Sequence, residues 1–250
     1  MKFFSEYGYG TIKGMFSSDH LIFSLLAIIS IILLILFTYK KDKDQINQII
    51  KYIFIIVLIL EILKILWNFL VRENLELINW VPLYFCSLFI YASGMYSYGK
   101  GIIKKIGFLW ITYGQIIGGI VFILFPASSI GIQPLFHVLT IHSLIYHVLT
   151  AYTGIILIIK YLGEFKFKDI ILYSITILSA ELFVFIFNLI FNTNLMFINE
   201  PGVIEPLKIV VKIFGPLYPL IIGLFQGVGT FILSYWIILL FRKIFHKDLR

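Results

Sequence analysis

Charge is scarce in this chain. Asp, Glu, Lys and Arg make up 13% of its 250 residues, and Cys86 is the one cysteine. Too little polar surface exists to coat a soluble domain. With 60% hydrophobic residues and a mean hydropathy of +1.01, the composition is that of a polytopic membrane protein. A single thiol excludes an internal disulfide framework and a multi-cysteine metal site. No glycine-rich nucleotide loop is present, so ATP-driven work by this chain alone is not expected. No metal and no cofactor are expected either. The net charge of +7 comes in short clusters between apolar runs, a pattern that sets orientation in a bilayer and predicts no nucleic-acid partner. The first apolar run starts near His20 without a small-residue cleavage motif and is followed by lysines, which predicts a retained helix.

What is abundant is apolar sequence in lengths near the ~20 residues that cross a hydrocarbon core. Seven such runs stand out, roughly His20 to Tyr39, Tyr52 to Leu70, Val81 to Tyr96, Ile102 to Phe125, Leu135 to Leu162, Asp169 to Phe191 and Leu217 to Phe241. The expected fold is an all-α transmembrane bundle forming one domain over residues 1–250. Basic residues test the count, because one missing span would scramble their alternation. Lys40, Lys41, Lys43 and Lys51 follow the first span, Lys100, Lys104 and Lys105 the third, Lys160, Lys166 and Lys168 the fifth, and Arg242, Lys243, Lys247 and Arg250 the seventh. Lys2, Lys13, Arg72, Lys208 and Lys212 fall on the other side. That split of fourteen to five predicts an outer N-terminus and a cytoplasmic C-terminus. Residues 1–19, aromatic and weakly charged, are expected at the outer interface. Residues 203–214, with Lys208 and Lys212 one turn apart among apolar residues, are expected as an outer amphipathic helix ended by Gly215 and Pro216.

Polar residues inside spans are costly and are functional candidates by default. Counted at ~1.5 Å per residue from the outer end of each span, Cys86 lies about 8 Å deep and His142 about 10 Å. Glu61, Gln115, Glu181 and Gln226 fall at about 13 to 15 Å by the same count. Glu61, Lys64 and Asn68 share one helical face. They form either an intrahelical ion pair that neutralises two charges for insertion or a functional stripe, and both readings stand. His137, His142 and His147 are five residues apart, a step of about 140° that prevents one helix from converging all three on an ion. A lone cysteine is commonly a packing residue, and a lone membrane histidine commonly a helix-to-helix hydrogen-bond partner.

Several local patterns change that balance: PLYFC at 82–86, HSL beginning at His142, NTNLMFINEP from Asn192 to Pro201, GPLYP from Gly215 to Pro219, and Glu61 with Trp67 in the second span. In these the chain resembles the bacterial YwaF-type integral membrane proteins, relatives of a vertebrate multi-span acyltransferase of ether phospholipids. The resemblance implies an intramembrane pair with Cys86 as nucleophile and His142 as base. It also implies a histidine two residues before the cysteine, where Tyr84 stands here.

The chemistry is coherent with the residues. A thiol in an apolar site keeps its proton unless a neighbouring imidazole takes it. Cys86 attacking an acyl ester, with His142 first as base and then as acid, would pass the acyl group to a lysolipid or to water. Glu61, Tyr84, Tyr146, Asn192 and Asn194 are expected to line the substrate, some of them steadying the oxyanion or orienting the imidazole. Membrane phospholipids or lysolipids are the expected partners, and a bacterial cell membrane the expected location. The competing expectation is a small-molecule transporter, or a transporter subunit, built on the mid-membrane polar layer.

Overall fold

The structure, a computed structural model, describes residues 2–6, 10–73, 76–202 and 204–245. Among these residues the regular structure is helical, with no strand. The α-helices are α1 (Ser18–Thr38), α2 (Lys43–Leu70), α3 (Leu88–Tyr98), α4 (Gly101–Leu109), α5 (Ile116–Leu124), α6 (Val138–Lys160), α7 (Asp169–Phe191), α8 (Glu205–Phe214), α9 (Tyr218–Leu224) and α10 (Thr230–Phe245). A wide π turn, Trp110–Gln115, joins α4 to α5, and a second, Phe225–Gly229, joins α9 to α10. Setting α8 aside, the helices therefore make seven rods: α1, α2, α3, α4 with α5, α6, α7, and α9 with α10.

Five stretches are long and apolar enough to cross a membrane: α1, Gly101–Leu124, α6, α7 and Glu205–Ile244. The 28 residues of α2 rise about 42 Å. The short rod is α3, with 11 residues. Its run was expected to turn helical at Val81, yet the helix starts at Leu88. Pro82 has no backbone donor and biases Val81 away from helical geometry. The carbonyls of Phe85 and Cys86 in the turn before α3 accept backbone amides of Leu88 and Phe89, and each also accepts a side-chain donor from another rod, as described below.

Local signals set the other boundaries. Asp42 and Gln45 form a reciprocal capping box at the start of α2, and Ser17 caps α1 through the amide of His20. The side chain of His137 accepts from the Leu139 amide at the start of α6. Asn192 ends α7 in the left-handed conformation, at φ +51°.

The basic clusters meet at one end of the bundle. Lys43 pairs with Glu164 at 2.6 Å and Lys105 with Asp169 at 2.9 Å. The Arg242 guanidinium donates to the carbonyls of Leu162 and Phe165, and Lys160 to that of Tyr39. Lys247 and Arg250 lie outside the described residues. At the opposite end the N-terminal segment folds over the rods, since Trp67 Nε1 donates to the Phe4 carbonyl at 3.0 Å and His137 Nε2 lies 3.2 Å from that of Glu6. The described links between rods thus gather at the two ends of the bundle.

The central rod is α6, which packs against α1, α2 and α5. Glycines permit the closest approaches. A β-carbon at Gly119 would lie 3.0 Å from the Ala151 amide nitrogen, and one at Gly154 would lie 2.7 Å from Ile116 Cβ. On the periphery, α8 exposes Ile209 and Ile213, with Lys208 held by Glu205 at 2.6 Å.

Candidate functional site

Cys86 sits at the mouth of α3, one residue before Ser87 and half-buried. Two side chains from other rods fasten the backbone there. Gln115 Nε2, on the π turn between α4 and α5, donates to the Phe85 carbonyl at 3.0 Å. The Tyr146 hydroxyl, on α6, donates to the Cys86 carbonyl at 3.1 Å. Irregular backbone at membrane depth persists only when its polar groups are satisfied from within the protein, and here the two carbonyls accept both a backbone amide, from Leu88 and Phe89, and a side-chain donor. The Cys86 thiol points toward α5, with Sγ 3.8 Å from where a β-carbon on Gly118 would stand.

His142 lies one turn before Tyr146 on the same face of α6, and the two rings stack at 6.0 Å with 21° between planes. Its Nε2 is buried and has no hydrogen-bond partner, while the backbone of Leu60 and the charge of Lys64 lie beside the ring. Tyr146 therefore adjoins both the Cys86 backbone and the His142 ring. Among the described residues the thiol and the imidazole make no hydrogen bond to each other.

Glu61 is buried and bonded to Lys64 one turn on, and both Tyr146 and Tyr91 lie within its electrostatic reach. Asn68, on the same face, is buried with its Oδ1 unpartnered. The other two histidines of this region take separate neighbours: His137 packs edge-on against Trp67 at 5.2 Å, and His147 stacks flat on Phe122 at 3.5 Å. The described residues contain no group of three His, Cys, Asp or Glu that could hold a metal ion.

Tyr84 packs against Phe197 at 5.8 Å, which brings the segment after α7 over the Cys86 turn. Met196 and Phe197 both have positive φ, at +58° and +54°, a conformation that non-glycine residues keep only when held. The holding groups are visible. Buried Asn188 accepts from the Leu195 amide at 2.9 Å and donates to the Leu195 carbonyl at 3.0 Å. Gln226 Nε2 donates to the Met196 carbonyl at 3.2 Å, and the Tyr218 hydroxyl to that of Phe197 at 2.8 Å. Asn194 closes the same loop through the Asn199 and Glu200 amides and the Glu200 carbonyl. Asn192 is exposed and borders an open cleft of about 620 Å³ shared with Glu76, Thr193 and Glu200.

Of the expected site residues, Tyr146 neighbours Cys86, His142 and Glu61, Tyr84 touches the loop after α7, and Asn192 and Asn194 belong to that loop and its cleft. Gln115, Asn188 and Tyr218 hold the surrounding backbone through the carbonyls of Phe85, Leu195 and Phe197. Sequence showed an amide at mid-span but not the distant carbonyl that it serves.

Neither a curated protein nor a solved structure matches this chain. The model of the TMEM164 family matches residues 15–237, almost the whole bundle and every residue of the Cys86 neighbourhood. On that match, with five helical stretches long and apolar enough to cross a membrane, the chain belongs to the TMEM164 family of transmembrane proteins.

Proposed function

We propose that the Cys86 neighbourhood is an intramembrane acyl-transfer centre acting on lipid esters, as the resemblance to YwaF-type proteins and their acyltransferase relatives implies. The observation that carries the reading is Tyr146, whose hydroxyl holds the Cys86 backbone while its ring stacks on His142. In this reading His142 removes the thiol proton and Cys86 Sγ attacks the ester carbonyl, forming a C–S bond. The C–O bond then breaks, and the proton returns to the departing lysolipid oxygen. The thioester next gives its acyl group to the hydroxyl of a lysolipid or to water, with His142 as base again. Gln115, whose Oε1 is buried and unpartnered, and Tyr146 keep the attacking segment in place. Tyr84 and the 192–201 loop cover the site, and the cleft beside Asn192 and Asn194 receives the headgroup. A bacterial cell membrane with an outward-facing N-terminus is part of the same proposal.

Acyl exchange between phospholipid and lysolipid in vesicles tests it. Purified protein is expected to catalyse exchange that falls at least about 100-fold in Cys86→Ala and His142→Ala, both still folded. Exchange that survives Cys86→Ala would remove the thiol from the mechanism. A wild type inert across a broad lipid panel would favour the second reading, transport, which the unpartnered buried oxygens of Gln115, Glu181 and Gln226 support.

A further inference from the structure

A second polar centre lies away from Cys86, where α7 crosses α9. Glu181 is 4% exposed and both its carboxylate oxygens are buried without a hydrogen-bond partner. Facing it is Gly223, where a β-carbon would stand 3.2 Å from Glu181 Oε2, so the crossing is tight because that residue has no side chain. One turn beyond Gly223, Gln226 presents a third buried and unpartnered oxygen, Oε1. Its orientation is fixed, because its amide nitrogen donates to the Met196 carbonyl and only the oxygen remains free. Tyr173, which lies within the electrostatic reach of Glu181, directs its hydroxyl to Thr230 and to the Gln226 carbonyl. Neighbouring hydroxyls are engaged as well, Ser174 on the Gly227 carbonyl and Thr230 on that of Gln226.

The cluster is therefore made of acceptors, and its donors are already engaged elsewhere. No basic side chain among the described residues pairs with Glu181. Lys105 is bonded to Asp169 and Arg242 to the carbonyls of Leu162 and Phe165, all at the basic end of the bundle. A carboxylate buried in this way costs several kcal/mol unless a positive charge or a donor reaches it. We propose that Glu181 and Gln226 form a binding site for a small, dehydrated monovalent metal cation of sodium size. One carboxylate balances one charge, the two Glu181 oxygens and Gln226 Oε1 would supply part of a hard-cation shell, and the tight approach of Gly223 disfavours an organic ammonium group.

The test is thermal unfolding of the full chain in detergent. Sodium chloride is compared with potassium chloride and N-methylglucamine chloride at equal ionic strength, at pH 7.5 and 5.5, for wild type and Glu181→Gln. Sodium is expected to raise the wild-type midpoint by about 5 °C at pH 7.5 and to leave Glu181→Gln unchanged. An equal shift in the variant would overturn the site, as would no shift with any cation. Stabilisation by acidification alone would overturn it in favour of a protonated Glu181 bonded to Gln226. If the variant does not fold, binding of radioactive sodium to wild type, competed by unlabelled sodium but not by N-methylglucamine, replaces that arm, and absent binding overturns the proposal. None of these readouts depends on acyl transfer.

Discussion

α6 and α7 have the same length, 23 residues, and opposite surroundings. Twelve residues of α6 are buried, among them Thr140, Tyr146, His147, Thr150 and Thr153, so polar groups enter from several directions. In α7 only Asp169, Tyr173, Ile177, Glu181, Val184 and Asn188 are buried, one stripe spaced by three or four, while Leu182, Phe183, Ile186 and Leu189 face outward. The more apolar helix is the less buried one. In a bilayer the surrounding medium is itself apolar, so greasy sequence marks the lipid-facing wall and hydroxyls mark the centre. Thr150 and Thr153 illustrate how the centre tolerates them, each donating back to a carbonyl one turn earlier.

The contrast can be broken from its most sensitive side first. A methyl group at Gly107, where α4 meets α3, would lie 2.5 Å from both the Ala92 carbonyl oxygen and the Tyr96 nitrogen, backbone atoms unable to rotate away. Gly107→Ala is expected to cost about 3 kcal/mol or more, read as a collapse of the thermal unfolding midpoint. Asn188→Ala removes the bonds that hold the 192–201 loop and leaves the Leu195 amide unmatched. A loss of about 2 kcal/mol is expected, with new protease cleavage confined to that loop. Tyr146→Phe keeps the ring on His142 and deletes the donor to Cys86, so stability should fall by about 1 kcal/mol. Acyl exchange should fall about tenfold more than that destabilisation accounts for, and an unchanged rate would disconnect Tyr146 from the proposed chemistry. At the insensitive extreme, Ile186→Leu on the outward face of α7 should move stability by less than about 0.5 kcal/mol. A larger loss there would mean that α7 is covered by another protein rather than by lipid.

The rods and the gathering of lysines at one end could be read from sequence because both follow from local composition. Apolar length and charge spacing do not depend on which rods touch. The late start of α3 was not readable in the same way. Residues 81–87 are as apolar as the helix that follows, and the partners of their carbonyls, Gln115 and Tyr146, come from segments 30 and 60 residues away. Glu61 and Lys64 were visible as a pair because one helical turn joins them. Asn194 is expected from the sequence to line the substrate, and its amide engages the backbone of its own loop, with partners five and six residues on that only the closed loop brings within reach. Gln226 was legible as buried polarity but not as the far anchor of Met196.

That anchor has a consequence for how the protein comes into being. A chain that emerges N-terminus first delivers Tyr84 and the 192–201 loop before Tyr218 and Gln226 exist to hold the loop down. Between residues 197 and 226 lie about 30 positions, or roughly 1.5–6 s of synthesis at about 5–20 residues per second. During that interval the left-handed pair Met196 and Phe197 lacks two of its restraints. The loop that packs on Tyr84 is fastened by the last rod to arrive, so a nascent or truncated chain carries Phe197 without its restraint from Tyr218 until insertion is complete.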